Sequence, residues 1–160
     1  MSSRPPFILN YQDVQEPDTA TYPGDDERLS IGAPVGRLAG LTRLGVHVET
    51  LPPGRRTSWP HAERDEEEFV FVLEGHPQAW IDGELHALGP GDFVGFPAGT
   101  GIAHTILNTS DQTVRLLVGG ERIKGAGVHY PLHPKRNQEI GDQWWADAPT
   151  QLKGDHDGRP

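Results

Sequence analysis

The stretch GRRTSWPHAERDEEEFVFVLEG, residues 54–75, decides the fold. It places His61, Glu63 and Glu68 on a short segment that a strand pair can fold into one cluster. Imidazole and carboxylate donors at such spacing suit a divalent metal. A second reading is a solvated acidic loop, since Asp65 to Glu68 is a run of four carboxylates. The run that follows, Phe69 to Leu73, is apolar on both faces. If Glu68 points inward, Val70 and Val72 follow it, and Phe69, Phe71 and Leu73 face outward. Three large apolar side chains on one outer face need a cover, from a terminal segment or a second subunit.

Working outward, a second stretch pairs with the first. Gly91 to Asn108 reads GDFVGFPAGTGIAHTILN: a strand to Phe96, a turn over Pro97 to Gly101, and a strand carrying His104. Alone, His104 reads as a hydrogen-bonded structural histidine. In a closed sheet, a strand this distant in sequence can lie opposite His61, and the pair then reads as ligands.

The remaining pattern is all-β. Strands are expected over 41–51, 57–63, 68–74, 78–81, 84–88, 92–96, 103–108 and 113–118, with Phe7 to Leu9 as a short edge strand. In the first, Leu44, Val46 and Val48 alternate as one face. Asp82-Gly83 between two apolar pairs is a two-residue hairpin signal. The 20 Gly and 15 Pro among 160 residues exceed the usual ~12% for the two together and mark many turns. Gln143-Trp144-Trp145 reads as a short turn that docks on the barrel, and the chain from Thr150 as a loose tail. One domain is expected, with a barrel core over 41–120, an N-terminal extension over 1–40 packing on it, and a C-terminal extension over 121–160.

Composition excludes several functions. A net charge of −9 forgoes the counterion release that drives binding to phosphate backbones, so neither nucleic acid nor an anionic membrane surface is an expected partner. The chain has no cysteine, which rules out disulfides and thiolate metal sites. No apolar run approaches the ~20 residues that span a bilayer, and a cytoplasmic location is expected.

The two stretches together resemble the paired motifs of the cupin superfamily. Gly54, His61, Glu63, Glu68 and Gly75 fall on the first motif, and Gly91, Pro97, Gly99, His104 and Asn108 on the second. Relative to the family pattern there is one extra residue between Gly54 and His61, and two between Gly99 and His104, both in turns. Glu63 stands where the family usually has its second metal-binding histidine. The form of the first motif resembles small single-domain bacterial cupins of the cupin-2 type.

That resemblance implies a double-stranded β-helix, or jelly-roll barrel, and a divalent metal held by His61, Glu63, Glu68 and His104. Two carboxylates among the ligands favour harder ions such as Mn or Fe, with Zn or Ni also open. Glu63 is a ligand or, unligated, a general base beside the metal, and Glu68 is the other candidate catalytic residue. A metal-free pocket is a further alternative. The implied function is a metal-dependent enzyme on a small oxygen-rich substrate, sugar-phosphate-like or carboxylate, of isomerase or dioxygenase type. The alternative is a non-catalytic cupin that binds or senses a small molecule or metal. A homodimer is expected from the family habit and the doubly apolar strand. The expected pocket lining is Trp59, Val70, Val72, Phe93 or Val94, Phe96 and Ile106, with Arg55 and Arg56 either in a solvated loop or at the mouth to meet an anionic substrate.

Overall fold

The structure is a computed structural model that describes residues 4–149 and 152–160. After a short strand β1 (Ile31–Ala33) and one helical turn α1 (Val35–Leu38), the chain runs through β2 (Leu44–Leu51), β3 (Arg55–Arg56), β4 (Ala62–Glu63) and β5 (Glu68–Glu74). It continues with β6 (Gln78–Ile81), β7 (Glu84–Ala87), β8 (Phe93–Phe96), β9 (His104–Asn108) and β10 (Val114–Glu121). A two-residue strand β11 (Val128–His129) and helix α2 (Pro134–Glu139) precede the C-terminal segment. Antiparallel pairing assembles a five-stranded sheet, β1-β2-β10-β5-β8, and a four-stranded sheet, β3-β9-β6-β7. They face each other as a jelly-roll barrel.

The core follows from alternation along these strands. Leu51, Val70, Val72, Ile106, Val114 and Leu116 form one buried cluster between the sheets. Burying each such side chain contributes about 1.5–3 kcal/mol. A second cluster, Ala62, Trp80, Ala103, Leu107 and Trp145, lies against the four-stranded sheet. The aromatic spot expected to dock does so through Trp145, whose amide donates to the Val128 carbonyl. Trp144 stays 38% exposed. At the hairpin between β6 and β7, Asp82 (φ 49°) and Gly83 (φ 94°) both occupy the left-handed region, the signature of a type I′ turn.

Several expectations differ from the structure. The expected strand over 57–63 is broken. Pro60 has no N–H to give a ladder, and the hydroxyls of Thr57, Ser58 and Thr105 take over the pairing: the Ser58 amide donates to Thr105 Oγ1 at 3.3 Å and the Ile106 amide to Thr57 Oγ1 at 3.2 Å. Residues 7–9 form no strand. Leu9 instead lines a groove with Val35, Gly36 and Val46, so the outer face of β2 is covered by the N-terminal segment and α1. The C-terminal tail is not loose over 152–160. Lys153 and Gly154 amides donate to the Asp82 carbonyl, and the His156 carbonyl accepts from Trp80 Nε1 at 2.9 Å. Thr150 and Gln151 lie outside the described residues.

The doubly apolar strand β5 divides as alternation requires, with Val70 and Val72 buried and Leu73 39% exposed. Phe69 is shielded within the chain itself. Its ring lies over Gly119, where a Cβ would approach Phe69 Cε1 to 2.3 Å, and stacks on Phe93 at 5.4 Å. Phe93 is 64% exposed on this outer face, so it does not line the interior. No helix among the described residues is long and apolar enough to cross a membrane.

Candidate metal centre

Strands β5 and β9 and the residue just ahead of β4 bring the first donors together. His61 and His104 are direct cross-strand partners in an isolated antiparallel bridge, each amide donating to the other's carbonyl at 3.2 and 2.9 Å. Their imidazoles leave the same face of the sheet with centroids 4.8 Å apart. Glu68, first residue of β5, projects across the barrel from the opposing sheet. Its Oε2 lies 3.0 Å from His104 Nε2 and 3.4 Å from His61 Nε2. One ligand atom from each of His61, Glu68 and His104 fits within 4.8 Å of the others.

The imidazoles are held in ligating orientation. His61 Nδ1 is 2.8 Å from the Trp59 carbonyl, which only accepts, so Nδ1 carries a proton and Nε2 points to the cluster. Phe96 stacks on the His104 ring at 3.5 Å and 6°. Glu63 Oε1 is 3.8 Å from His61 Nε2, yet Glu63 is not in the three-residue group and does not line the cavity.

Charge in this cluster is strongly coupled. Burial alone would raise the Glu68 carboxyl, but hydrogen bonds from His104 and His61 outweigh it and hold Glu68 well below the usual carboxylate range. Burial works against protonation of His61, and the Glu68 hydrogen bond and the Glu68 and Glu63 charges override it, lifting His61 to about 9. Burial pushes Glu63 up to about 7, with Glu68 adding to it and His61 opposing. Burial lowers His104.

The cluster opens into a cavity of about 130 Å³ bounded by Glu49, Thr57, Ser58, Thr105 and the apolar Val70, Phe96, Ile106 and Val118. Val70, Phe96 and Ile106 were expected here. Trp59 was too, but it is sandwiched between Tyr22 at 4.0 Å and His133 at 3.9 Å. Val72 packs in the core behind the cavity. Arg55 and Arg56 reach no mouth: Arg55 pairs with Asp18 and the buried Arg56 with Glu27.

Sequence reasoning missed Glu49. It lines the cavity from β2, and its Oε2 accepts from Ser30 Oγ at 2.6 Å. Burial, with a smaller push from Glu68 and against the Ser30 bond, raises its carboxyl to about 6. A carboxyl raised on folding binds its proton more tightly in the folded chain. The proton-linked stability is therefore full below the ordinary value near 4.5 and is lost as pH rises through about 6. In chelator-treated protein, Glu49→Gln should be more stable than the parent by up to ~2 kcal/mol at pH 8 and equal to it near pH 4. Urea denaturation at the two pH values checks this, and an equal effect at both would refute it.

Comparison with known proteins follows the same pattern. The family model for the cupin domain matches residues 47–120. Quercetin 2,3-dioxygenase of Bacillus subtilis is 24% identical over 135 residues, 78% of this chain. The match covers 40% of that protein, so the chain spans well under half the length of this curated relative. A solved structure from Acidithiobacillus ferrooxidans, provisionally named a sugar phosphate isomerase, superposes with a TM-score of 0.69 at 28% identity, over 79% of this chain and 81% of that one. A sugar phosphate isomerase of the cupin superfamily from Silicibacter pomeroyi superposes with a TM-score of 0.62 at 33% identity, over 63% of this chain and 64% of that chain.

Proposed function

This chain belongs to the cupin superfamily, and on that premise we propose that it holds a divalent metal between His61, Glu68 and His104 and acts as an isomerase on a small oxygen-rich substrate. The observation that carries the reading is the convergence of those three donors, within 4.8 Å of one another, at the wall of an internal cavity. The residues fit a metal. His61 presents Nε2 because Nδ1 is committed to the Trp59 carbonyl, and Glu68 already gathers both Nε2 atoms around one carboxylate oxygen. Glu63, 3.8 Å from the same His61 nitrogen, is our proposed fourth donor. The set is compatible with Mn, Fe, Zn or Ni.

A divalent ion bound there would supply Lewis acidity, polarising a carbonyl or acidifying a hydroxyl. The chain's own part is to orient the ligand and keep water out. Phe96, Val70, Ile106 and Val118 give the cavity its apolar wall, and Thr57, Ser58 and Thr105 line its other side. Isomerase rather than dioxygenase chemistry is supported by the two solved relatives at 28% and 33% identity.

The test is elemental analysis of protein purified without chelator or affinity metal, beside the His61→Ala/His104→Ala variant. We expect about one divalent ion per chain, lost in the variant. No metal in either sample would overturn the reading.

A further inference from the structure

The cavity has a second acidic side chain beside the metal centre. Glu49 stands on β2, two strands from Glu68 in the same sheet, and borders both the main cavity and a recess of about 220 Å³ beside it. The recess runs along His47, Glu68, Val118 and three glycines, Gly45, Gly119 and Gly120. Gly45 and Gly120 are Cα partners, and Gly120 pairs in turn with Glu68. A Cβ at Gly45 would meet the Arg122 side chain at 3.6 Å, and one at Gly120 would meet Glu68 Cγ at 3.2 Å, so the two glycines keep this rung clear beside the carboxylates. Glu49 Oε2 accepts from Ser30 Oγ, which fixes the carboxylate of this cavity-lining residue.

The permanent charges lining this space are acidic, while His61 is held cationic beside Glu68 and the Arg122 stem lies against Gly45. Among the described residues, no lysine or arginine lines either the cavity or the recess, whereas Glu49, Glu68 and Glu121 do. Phosphate recognition elsewhere relies on arginine, lysine or convergent backbone amides. A phosphoryl group placed here would face the Glu49 carboxylate, and the charge of a bound divalent ion would already be balanced by Glu68 and the proposed fourth donor Glu63.

We propose that Glu49 is a ligand-contacting residue that accepts a hydrogen bond from a substrate hydroxyl, and that the cavity takes an uncharged polyhydroxy or hydroxy-carbonyl compound and rejects its phosphate ester. This rests on the isomerase reading above and narrows its substrate class. Size agrees, since a cavity of 150 Å³ holds a molecule as large as benzene. The cavity is about 130 Å³, close to that size, and the recess beside it adds about 220 Å³.

The experiment measures dissociation constants by saturation-transfer NMR at pH 8. The probes are dihydroxyacetone, D-ribose and the phosphate ester of each, on Zn-loaded and on metal-free protein. At least one uncharged sugar should bind, about tenfold or more tighter than its ester. Glu49→Ala should weaken that binding about tenfold or more, the loss of a hydrogen bond to a charged acceptor. Glu49→Gln, which keeps an acceptor oxygen and the shape, should recover part of it. Metal content is measured in the same samples. Tighter binding of the esters, no binding of either uncharged sugar, or Glu49→Ala binding like the parent overturns the proposal. Absence of zinc from the loaded parent would count against the metal centre alone, because the metal-free arm still decides the role of Glu49.

Discussion

Glu68→Gln should weaken divalent metal binding by more than about 100-fold, above the 10–100-fold typical of residues that merely support a ligand. The reason is geometric. Glu68 Oε2 is the point at which His104 Nε2, at 3.0 Å, and His61 Nε2, at 3.4 Å, converge. An amide oxygen in its place keeps the shape and loses the anionic donor. The neighbouring Glu67 offers a matched control, since it belongs to the same acidic run but is exposed and lies outside the ligand group. Glu67→Gln should leave affinity within about twofold, as expected of a charge screened by solvent. Competition of Zn or Mn against a fluorescent chelator reads both variants. Equal losses in the two would mean that the acidic run attracts ions diffusely and that no discrete centre exists.

The cluster was legible because its signal is local twice over. His61 and Glu68 share one motif, and His104 sits in a second whose turn, Pro97 to Gly101, is written in Pro and Gly. All-β architecture and the Asp82-Gly83 turn were readable for the same reason. Glu49 was not. In β2, Leu44, Val46 and Val48 look like the inward face, but α1 and the N-terminal segment cover that side, with Gly36 against Val46. The inward set is Gly45, His47, Glu49 and Leu51, a face that apolar alternation alone does not assign. A strand with apolar residues outside and polar ones inside is ambiguous until its coverings are known. The strand expected across 57–63 failed through one residue, Pro60, set among hydroxyls that bond like backbone. The fate of the tail was equally hidden, because what orders it is buried polar groups far away in sequence.

Those groups carry the second large effect: Arg56→Met should cost about 3–5 kcal/mol, the usual penalty for stranding one partner of a buried ion pair. Arg56 is fully buried. Its Nε and Nη2 donate to the two oxygens of Glu27 at 2.8 and 2.7 Å, and Nη1 to the Gly158 carbonyl at 2.7 Å. One guanidinium thus ties the N-terminal segment and the C-terminal tail to β3. Methionine preserves most of the packing, so the loss reports the polar contacts. A domain of this length should melt roughly 10 °C lower. Glu27→Gln/Arg56→Met should cost less than the sum of the single changes, because no carboxylate is then left without its partner. The effect should also reach the metal centre. Glu27 Oε2 accepts from Trp59 Nε1 at 3.1 Å, and the Trp59 carbonyl holds His61 Nδ1. Loosening Trp59 should therefore lower metal affinity in Arg56→Met even well below its melting temperature, by a smaller factor than Glu68→Gln. Unchanged affinity in a folded Arg56→Met protein would show that His61 keeps its orientation without this chain of contacts, and that the terminal segments stabilise the barrel without tuning its centre.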